Sequence, residues 1–344
     1  MADRPYQELT RRERLYRFRQ LAEMVLHEYG LDNAGLQLLQ YGENVIYRVN
    51  LKKPIGQRED NDPFLSDRCI LRLHAWDNLE YINSEMIWLA ALSEEAELPV
   101  PAPLRTKEGS YFTKVSSPKL PKGKCATLLR WLDGRKLEKS IRPKHLHAIG
   151  SVIAKLHNFS SQWTPPAAFK RPDWDWDAQL GGSHFNVERE VLIASMPKKY
   201  QVPFRETSDK AKKAMASLGT GSDAFGLIHS DLYPENILFK SGEARPIDFE
   251  DCGYGYWMWD IAVALSTWAW KPSWEVMRDA FLEGYIEHRT LPQKQWELLD
   301  LFIATQFATM LIWACAFIMH DPVRTEEYIP WREDNGERLL TYFK

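Results

Sequence analysis

The sequence HSDLYPEN occupies residues 229–236, and DFE follows at residues 248–250. Between them lie two short β-type runs, 237–239 and 244–247, separated by the turn residues Lys-Ser-Gly-Glu. Two such runs around a short polar turn predict a β-hairpin. The hairpin would place Asn236 and Asp248 at the same end, with Asp231 one loop away.

Three oxygen-bearing side chains at D-x4-N-x11-D spacing indicate a specific chemistry. An Asp and an Asn that share a cation, with a second carboxylate nearby, form the arrangement used for phosphoryl transfer. Each of the three residues alone would be read as a turn or capping residue. The joint pattern, with a β-type run ending at Asp248, favours the catalytic interpretation.

The composition indicates a folded protein with room for two lobes. The chain has 344 residues, of which 44% are apolar and 26% charged, and its formal charge is −3. No dense basic run is present, so no nucleic-acid partner is expected. The four cysteines lie far apart without a CxxC pair, and the first residues lack an apolar run. Both features favour a cytoplasmic protein without a secretory signal.

Leu301 to Met319 is an apolar stretch close to the length of a membrane-spanning helix. Two interpretations are open, a membrane span or a helix buried in the core of a large lobe. Acidic residues and a histidine bound the stretch, and no basic residues flank it. We therefore expect a core helix and no membrane partner.

The periodicity of the chain predicts an α+β architecture with two lobes. Residues 7–29 read as a helix, five short strands and one more helix follow, and the sequence from residue 141 onward reads as mostly helical. A polar stretch at 57–67 reads as an exposed loop. We predict a β-sheet N-lobe at 1–127, a hinge at 128–134 and a helical C-lobe at 135–344.

The chain resembles the aminoglycoside phosphotransferase and choline kinase superfamily, which has a bilobal protein-kinase-like fold. Its pattern is most similar to bacterial members that include type II homoserine kinases and stress-response kinases. The resemblance runs through the segments GENVIYRV, ILRLHA, SEMIWLAAL, LPVPAPL, LLRWLDG, IAKLHNFS, HSDLYPENILF, IDFEDCGYG and WDIAVAL. The two motifs around residues 231 and 248 are the specific part of it.

The resemblance implies roles for the C-lobe motif residues. Asp231 matches the catalytic aspartate that accepts or orients the proton of the attacking hydroxyl. Asn236 and Asp248 match the two Mg²⁺ ligands, and hard oxygen donors suit that hard cation. His229 matches a residue that organises the loop. ATP and Mg²⁺ are the implied cofactors.

The resemblance also implies a nucleotide side in the N-lobe. Arg72 lies where these folds carry a phosphate-contacting lysine, and Glu85 matches its ion-pair partner. Arginine keeps the charge and changes the geometry; Lys52 and Lys53 are nearby alternatives, and Arg72 could instead form a plain surface ion pair. The remaining nucleotide-binding residues are Asn44 in the phosphate-covering turn and the backbone near Arg130 and Trp131.

The acceptor side of the sequence is less informative. Glu250 and Asp251 could attract a cationic substrate or simply be solvated. The tryptophans of the C-terminal half, Trp257 among them, could form a cation-π pocket or belong to the core. Asp260 is expected to cap a helix. The acceptor hydroxyl could therefore belong to an amino alcohol, an aminoglycoside or a homoserine-like molecule.

Three hypotheses of function follow from these residues. The first is an ATP-dependent kinase that phosphorylates a hydroxyl of a small molecule. The second is a protein Ser/Thr kinase of the stress-response type, which the lack of an APE-like segment after Asp248 disfavours. The third is a non-catalytic nucleotide-binding pseudokinase, supported by Arg72 and opposed by the retained Asp231, Asn236 and Asp248. The sequence does not predict an oligomeric state.

Overall fold

The computed structural model describes residues 6–42, 44–55, 66–75, 78–117, 123–137 and 140–343. Most of the predicted 57–67 loop and residue 43 of the predicted hairpin tip lie outside these ranges. The chain divides into two compact units. Unit 1 comprises Met1–Asp133 with Pro165–Lys170, and unit 2 comprises Gly134–Thr164 with Arg171–Lys344.

Unit 1 is built on a five-stranded antiparallel sheet with two helices. Its helices are α1 (Arg11–Glu28) and α2 (Leu79–Glu94). Its strands are β1 (Gly35–Tyr41), β2 (Val45–Ile55), β3 (Ser66–Leu73), β4 (Phe112–Val115) and β5 (Lys124–Arg130), in the spatial order β1-β2-β3-β5-β4. The predicted sheet with one helix after its third strand is confirmed.

Helix α1 begins at a capping box, in which the Glu13 backbone N–H donates to the Thr10 hydroxyl and the Thr10 backbone N–H donates to the Glu13 carboxylate. Its buried residues recur at helical spacing and pack on one face of the sheet. The helix ends before Gly30, whose φ of +72° suits a residue without Cβ.

Strand β3 shows how alternation separates core from polar side chains. Leu71 and Leu73 point into the unit 1 core, and the alternating positions Arg72 and His74 belong to the opposite face. Both polar residues are nevertheless buried, at 4% and 1% exposure. The His74 ring lies 3.0 Å from the Thr127 hydroxyl through Nε2, and burial lowers the pKa of His74 well below its ordinary value.

This buried histidine predicts an acid-sensitive stability. Because the pKa of His74 is lower in the folded chain, the unfolded chain binds the extra proton below about pH 6.5, and stability falls as the pH drops from there towards the folded pKa. His74→Gln removes this titration and keeps an N–H for Thr127. We expect its free energy of unfolding to depend less steeply on pH between 6.5 and 5, by up to about 1.4 kcal/mol per pH unit. Urea unfolding of the wild type and of His74→Gln across this pH range gives the two slopes of unfolding free energy against pH. Equal slopes would contradict the prediction.

Unit 2 contains eight α-helices and two small sheets among its described residues. The helices are α3 (Pro143–Gln162), α4 (Arg189–Ser195), α5 (Lys198–Leu218), α6 (Trp257–Ser266), α7 (Trp274–Ile286), α8 (Gln293–Trp296), α9 (Leu299–His320) and α10 (Thr325–Thr341). The strands are β6 (Phe225–Ile228), β7 (Ile237–Lys240), β8 (Glu243–Pro246) and β9 (Gly253–Tyr256). Strand β6 pairs with β9, and β7 with β8, both antiparallel.

The predicted helices differ from the observed ones mainly at their ends. The apolar periodicity of residues 293–319 and 257–270 predicts one helix in each stretch. The structure has two helices, α8 and α9, in the first stretch, and the helix in the second ends at Ser266. Helix α10 and the pairing of β6 with β9 were not predicted.

Helices α3 and α7 approach closely at Gly150 and Gly284, where an added Cβ would lie 2.1 Å and 2.0 Å from a carbonyl oxygen of the facing helix.

Helix α9 is the apolar segment for which two interpretations were open. It is long and apolar enough to span a membrane, but 72% of its most apolar window is buried inside the structure. Phe302, Phe307 and Leu311 lie in the same core as Trp257 of α6. The core-helix interpretation accounts for the helix.

Candidate active site

The β7–β8 hairpin joins two of the motif residues. Ile237 pairs with Pro246, and the turn at Ser241 and Gly242 has positive φ at both residues, as a tight hairpin turn requires. At the open end, the Ile247 backbone N–H donates to the Asn236 carbonyl at 2.9 Å. The predicted hairpin is confirmed, and it brings the segments containing Asn236 and Asp248 together.

Asn236 also reaches back to Asp231. Its side-chain nitrogen donates to the Asp231 carboxylate at 2.6 Å and to the Asp231 carbonyl at 2.9 Å. Both side-chain bonds use Nδ2, so the Asn236 Oδ1 can serve as a ligand oxygen. The three motif residues therefore form one local cluster in unit 2.

The peptide before Asp231 is held by a buried carboxylate on α6. Asp260 is fully buried and accepts the backbone N–H groups of His229 at 3.0 Å and Ser230 at 2.7 Å. Ser230 has a φ of +73°, a conformation that a non-glycine residue keeps only when its surroundings enforce it. Asp260 lies inside α6, so the expected capping role was wrong. Its acceptor oxygens are used by the loop instead.

Asp260 is linked to two more helices through the ring of His157. The His157 Nε2 of α3 lies 3.1 Å from the Asp260 carboxylate, and its Nδ1 lies 2.9 Å from the Tyr285 hydroxyl of α7. Burial lowers the pKa of His157, although the Asp260 charge opposes the shift. A neutral ring that donates through Nε2 and accepts through Nδ1 satisfies both contacts.

His229 organises the loop by hydrogen bonds. Its Nε2 lies 3.1 Å from the Ile247 carbonyl, and its Nδ1 accepts the Asp231 backbone N–H at 3.3 Å. The ring is fully buried and packs 4.4 Å from the Phe249 ring. His229 thus links the loop before Asp231 to the end of the hairpin without touching solvent.

The Asp231 carboxyl lies in an acidic, enclosed environment. Burial, followed by the negative charges of Asp251 and Asp248, raises the pKa of Asp231 to about 8, while the hydrogen bond from Asn236 acts in the opposite direction. A nearby cation would stabilise the ionised form of this carboxyl group. The strong shift also marks Asp231 as a candidate catalytic group.

The acidic segment that follows Asp248 is fixed through its backbone. The buried guanidinium of Arg171 donates to the carbonyls of Glu250 and Cys252, and the Trp174 indole donates to the Asp251 carbonyl at 2.7 Å. Gly253 makes this close approach possible, because a Cβ there would lie 2.6 Å from the Pro172 carbonyl.

The donor set fits a hard divalent cation. Asn236 offers a neutral oxygen and Asp248 an exposed carboxylate, with Asp231 close by. No group of three or more His, Cys, Asp or Glu residues among the described residues forms a metal site by protein ligands alone. Mg²⁺ often binds through only one or two carboxylates and keeps water and phosphate ligands. The residues present therefore fit an ion that arrives with a nucleotide.

A cavity of ≈ 40 Å³ lies beside this cluster, within unit 2. Two carboxylate residues, Asp231 and Asp251, and three tryptophans, Trp174, Trp259 and Trp313, line it. A water molecule needs roughly 10–15 Å³ by this measure, so the space holds about three waters. The cavity therefore suits a small polar molecule or one end of a larger one.

The remaining lining residues are polar and uncharged or aliphatic: Gln179, Ser230, Tyr233, Val263 and Met310. No Lys, Arg or His is among the described residues that line the cavity. Tyr233 is held from behind by Gln306, whose amide nitrogen donates to the Tyr233 hydroxyl. The electrostatic character of the cavity is thus acidic and aromatic.

The candidate acceptor residues lie in different places. Asp251 lines the cavity, whereas Glu250 does not. Trp257 is fully buried, donates its indole N–H to the Ser222 carbonyl and packs against His157. The structure therefore places Trp257 in the core, which was the alternative interpretation. Trp259 and Trp313, which belong to the C-terminal tryptophans considered for a cation-π pocket, lie in the cavity wall together with Trp174, which the sequence did not indicate.

In unit 1, Arg72 and Glu85 form a buried ion pair. The Arg72 guanidinium lies 2.5 Å from the Glu85 carboxylate, and the two side chains are 5% and 2% exposed. The pairing of a β3 cation with an α2 carboxylate is the one the resemblance implies. It is not a surface ion pair.

The other residues predicted to contact the nucleotide lie near the ends of these strands. The Asn44 side-chain oxygen accepts the Ala75 backbone N–H at 2.8 Å, so Asn44 ties the β1–β2 turn to the end of β3. The backbone N–H of Arg130 donates to Ala102, and that of Trp131 donates to Arg68. The adenine of a bound nucleotide would therefore have to contact other backbone groups near Arg130 and Trp131, or replace one of these two hydrogen bonds.

The fold and the two sets of residues define the class of protein. A five-stranded antiparallel sheet with a buried Arg–Glu pair and a helical unit with an Asp–Asn–Asp loop are the parts of a kinase-like phosphotransferase. The model of the family described as "Phosphotransferase enzyme family" matches residues 53–296, which is more than half of the chain. The chain therefore belongs to the phosphotransferase enzyme family.

Individual relatives agree with this assignment. The chain is 24% identical over 320 residues to amicoumacin kinase of Bacillus subtilis (strain 168), covering 87% of this chain and 86% of that protein. Its fold is similar to a microcompartment-associated aminopropanol kinase, with a TM-score of 0.75, 24% identity, and coverage of 94% and 97%. It is also similar to the amicoumacin kinase hAmiN in complex with AMP-PNP, Ca²⁺ and Ami, with a TM-score of 0.71, 20% identity, and coverage of 96% for both chains.

These comparisons confirm several predictions. The family, the protein-kinase-like fold and the enzyme class, a phosphotransferase with an alcohol group as acceptor, are confirmed. The use of ATP follows from the class, and the hAmiN complex contains an ATP analogue together with a divalent cation. The roles of individual residues and the identity of the acceptor stay predictions.

Proposed function

We propose that this protein transfers the γ-phosphate of ATP to the hydroxyl of a small, positively charged amino alcohol. The observation that carries the proposal is the cavity wall, in which the candidate base Asp231 and the second carboxylate Asp251 lie among three tryptophans. Carboxylates and indole faces both attract ammonium groups. The similarity in fold to an aminopropanol kinase is consistent with such an acceptor.

The proposed chemistry uses the motif residues in the roles that the resemblance implies. Asp231 accepts or orients the proton of the acceptor hydroxyl, whose oxygen bonds to the γ-phosphorus as the bond to the β,γ-bridging oxygen breaks. Asn236 and Asp248 hold Mg²⁺, which when bound neutralises charge on the phosphates. Arg72, oriented by Glu85, contacts the phosphates.

Positioning supplies much of the catalysis in such a reaction. The Asp260 anchor keeps the Asp231 loop in one conformation, and Arg171 and Trp174 do the same for the Asp251 segment. Two carboxylates at fixed places can therefore orient an acceptor by its hydroxyl and its ammonium group. The remaining nucleotide contacts, from Asn44 and the backbone near Arg130 and Trp131, belong to the same proposal.

The other acceptor classes fit the cavity less well. A homoserine-like acceptor carries a carboxylate, and no basic residue among the described ones lines the cavity to pair with it. An aminoglycoside or a protein could place only one group in a space for about three waters, so the rest of either acceptor would lie outside the cavity. A pseudokinase would have no use for a catalytic loop anchored in this way.

Phosphate transfer from radiolabelled ATP tests the proposal directly. The acceptors are aminoethanol, aminopropanol, homoserine and kanamycin, each with and without Mg²⁺, and the protein itself is analysed for label. We expect Mg²⁺-dependent label on the two amino alcohols. Label on protein alone would support the protein kinase alternative, and label on homoserine alone would reject the cationic acceptor.

Asp251→Asn tests the recognition of the ammonium group. The substitution removes one negative charge from the cavity wall and keeps the shape of the side chain. We expect the KM for an amino alcohol to rise about 10-fold or more, since a hydrogen bond to a charged group contributes roughly 1.5–3 kcal/mol. The KM for ATP should stay within twofold. Steady-state kinetics measure both values.

Glu250→Gln is the matched control for Asp251→Asn. It removes the neighbouring charge, from a residue that does not line the cavity. The proposal expects a small change in both KM values. Equal effects of the two substitutions would mean that the acidic segment acts through its overall charge and not through contact with the acceptor.

A further inference from the structure

The three tryptophans of the cavity wall differ in what their indole N–H groups do. Trp174 donates to the Asp251 carbonyl at 2.7 Å, and Trp259 donates to the Ser230 carbonyl at 3.1 Å. The Trp313 Nε1 is buried and has no hydrogen-bond partner among the described residues. Buried N–H groups in folded proteins are nearly always paired, so an unpaired N–H on a residue that lines a cavity is a candidate contact for a bound molecule.

The Trp313 ring is fixed by its neighbours. It stacks on the His184 ring at 4.7 Å with an interplanar angle of 6°, and it meets Phe185 edge-on at 5.3 Å. The Trp174 ring packs 5.9 Å away on a tilted face. These contacts prevent the indole from turning to find a partner within the protein, so its N–H is preorganised for a bound molecule.

Gln179 is a second polar side chain in the cavity wall. It lines the cavity at 2% exposure. It lies in a π-helical turn, Asp177–Gly181, a kind of turn that is frequent at functional sites. The amide offers both a donor and an acceptor.

We infer that the acceptor carries an uncharged hydrogen-bond-accepting group, such as a carboxamide, which receives the Trp313 N–H and pairs with Gln179. This inference rests on the proposed function, because it adds a third group to the hydroxyl and ammonium already assigned. A carboxylate is disfavoured at the same place, since Asp231 and Asp251 share the cavity and no cationic side chain among the described ones lines it. An aliphatic group would leave the Trp313 N–H unpaired.

Three acceptors that differ in one substituent test the inference. Aminoethanol, serinamide and serine share a hydroxyl and an ammonium group, and they carry hydrogen, a carboxamide or a carboxylate on the carbon next to nitrogen. We expect kcat/KM for serinamide to exceed that for aminoethanol about 10-fold, since a satisfied hydrogen bond contributes roughly 1 kcal/mol or more. Serine should be the poorest of the three.

Trp313→Phe identifies the group responsible. Phenylalanine keeps a ring to stack on His184 and lacks the N–H. We expect the preference for serinamide over aminoethanol, measured as the ratio of their two kcat/KM values, to disappear. Trp274→Phe, at a tryptophan outside the cavity wall, should keep the preference. Gln179→Leu should also lower the preference for serinamide over aminoethanol.

Calorimetry measures the binding of the same three molecules to the wild-type protein and to Trp313→Phe. It distinguishes failure of the proposed function from failure of the carboxamide inference. Transfer without a serinamide preference would overturn this inference and leave the proposed function intact. Tighter binding of serinamide, lost in Trp313→Phe, without any transfer would support the subsite and count against the proposed function. Equal losses for all three acceptors in Trp313→Phe would show a packing role and overturn the inference.

Discussion

Asp231→Asn is expected to lower kcat by about 10²–10⁴-fold, the contribution that a positioned general base usually makes. The amide keeps the shape of the carboxylate but cannot accept the proton of the acceptor hydroxyl. Because the raised pKa of Asp231 shows that its charge is unfavourable in the fold, the neutral amide should not lower the melting temperature. The expected result is therefore a stable, inactive protein.

Two measurements test the prediction for Asp231→Asn. Single-turnover phosphate transfer gives the chemical step, and thermal unfolding gives the stability. Asp279→Asn, at an exposed aspartate paired with Arg278, serves as the control and should change neither quantity. Transfer by Asp231→Asn at the wild-type rate would show that Asp231 is not the base, whatever its pKa.

Asp260→Ala is expected to affect folding and catalysis together. The substitution leaves the backbone N–H groups of His229 and Ser230 and the ring of His157 without their acceptor, all in the protein interior. Each unpaired buried donor costs about 1–3 kcal/mol, so the loss of an acceptor for three donors should lower the free energy of unfolding by at least about 3 kcal/mol. The loop should also lose the conformation with positive φ at Ser230, and kcat should fall at temperatures where the protein is still folded.

Asp260→Asn and Asp334→Ala complete this experiment. The asparagine variant keeps one acceptor oxygen, so its loss of stability should be intermediate. Asp334 forms an exposed pair with Arg338, and its removal should change stability by less than about 1 kcal/mol. If urea unfolding gave Asp260→Ala the stability of wild type, the anchoring role assigned to Asp260 would be wrong.

The part of the site that the sequence predicts well is local. Asn236 and Asp248 are joined by a hairpin, and turn chemistry with β-type runs is enough to place them at one end. The Arg72–Glu85 pair depends on a strand followed directly by a helix, and the resemblance supplied the register. These predictions depend on few residues, all near one another in the chain.

The part that the sequence does not predict depends on contacts between distant segments. Asp260 lies about thirty residues from the N–H groups that it accepts, and nothing in its own neighbourhood distinguishes it from a helix-capping residue. Trp257 and Trp259 are two positions apart on α6, which places them about 200° apart around the helix. Only one can face the cavity, and the packing of α6 against α3 and α9 decides which.

The crowding of Asp231, Asp248 and Asp251 has a consequence for the end of the catalytic cycle. Under the proposed function, the acceptor enters as a cation and leaves with a phosphate group of about −1.5 to −2 charge. The carboxylates that draw the substrate in then repel the product. Product release should therefore be assisted by electrostatic repulsion, and the enzyme should show little product inhibition even when phosphorylated amine accumulates.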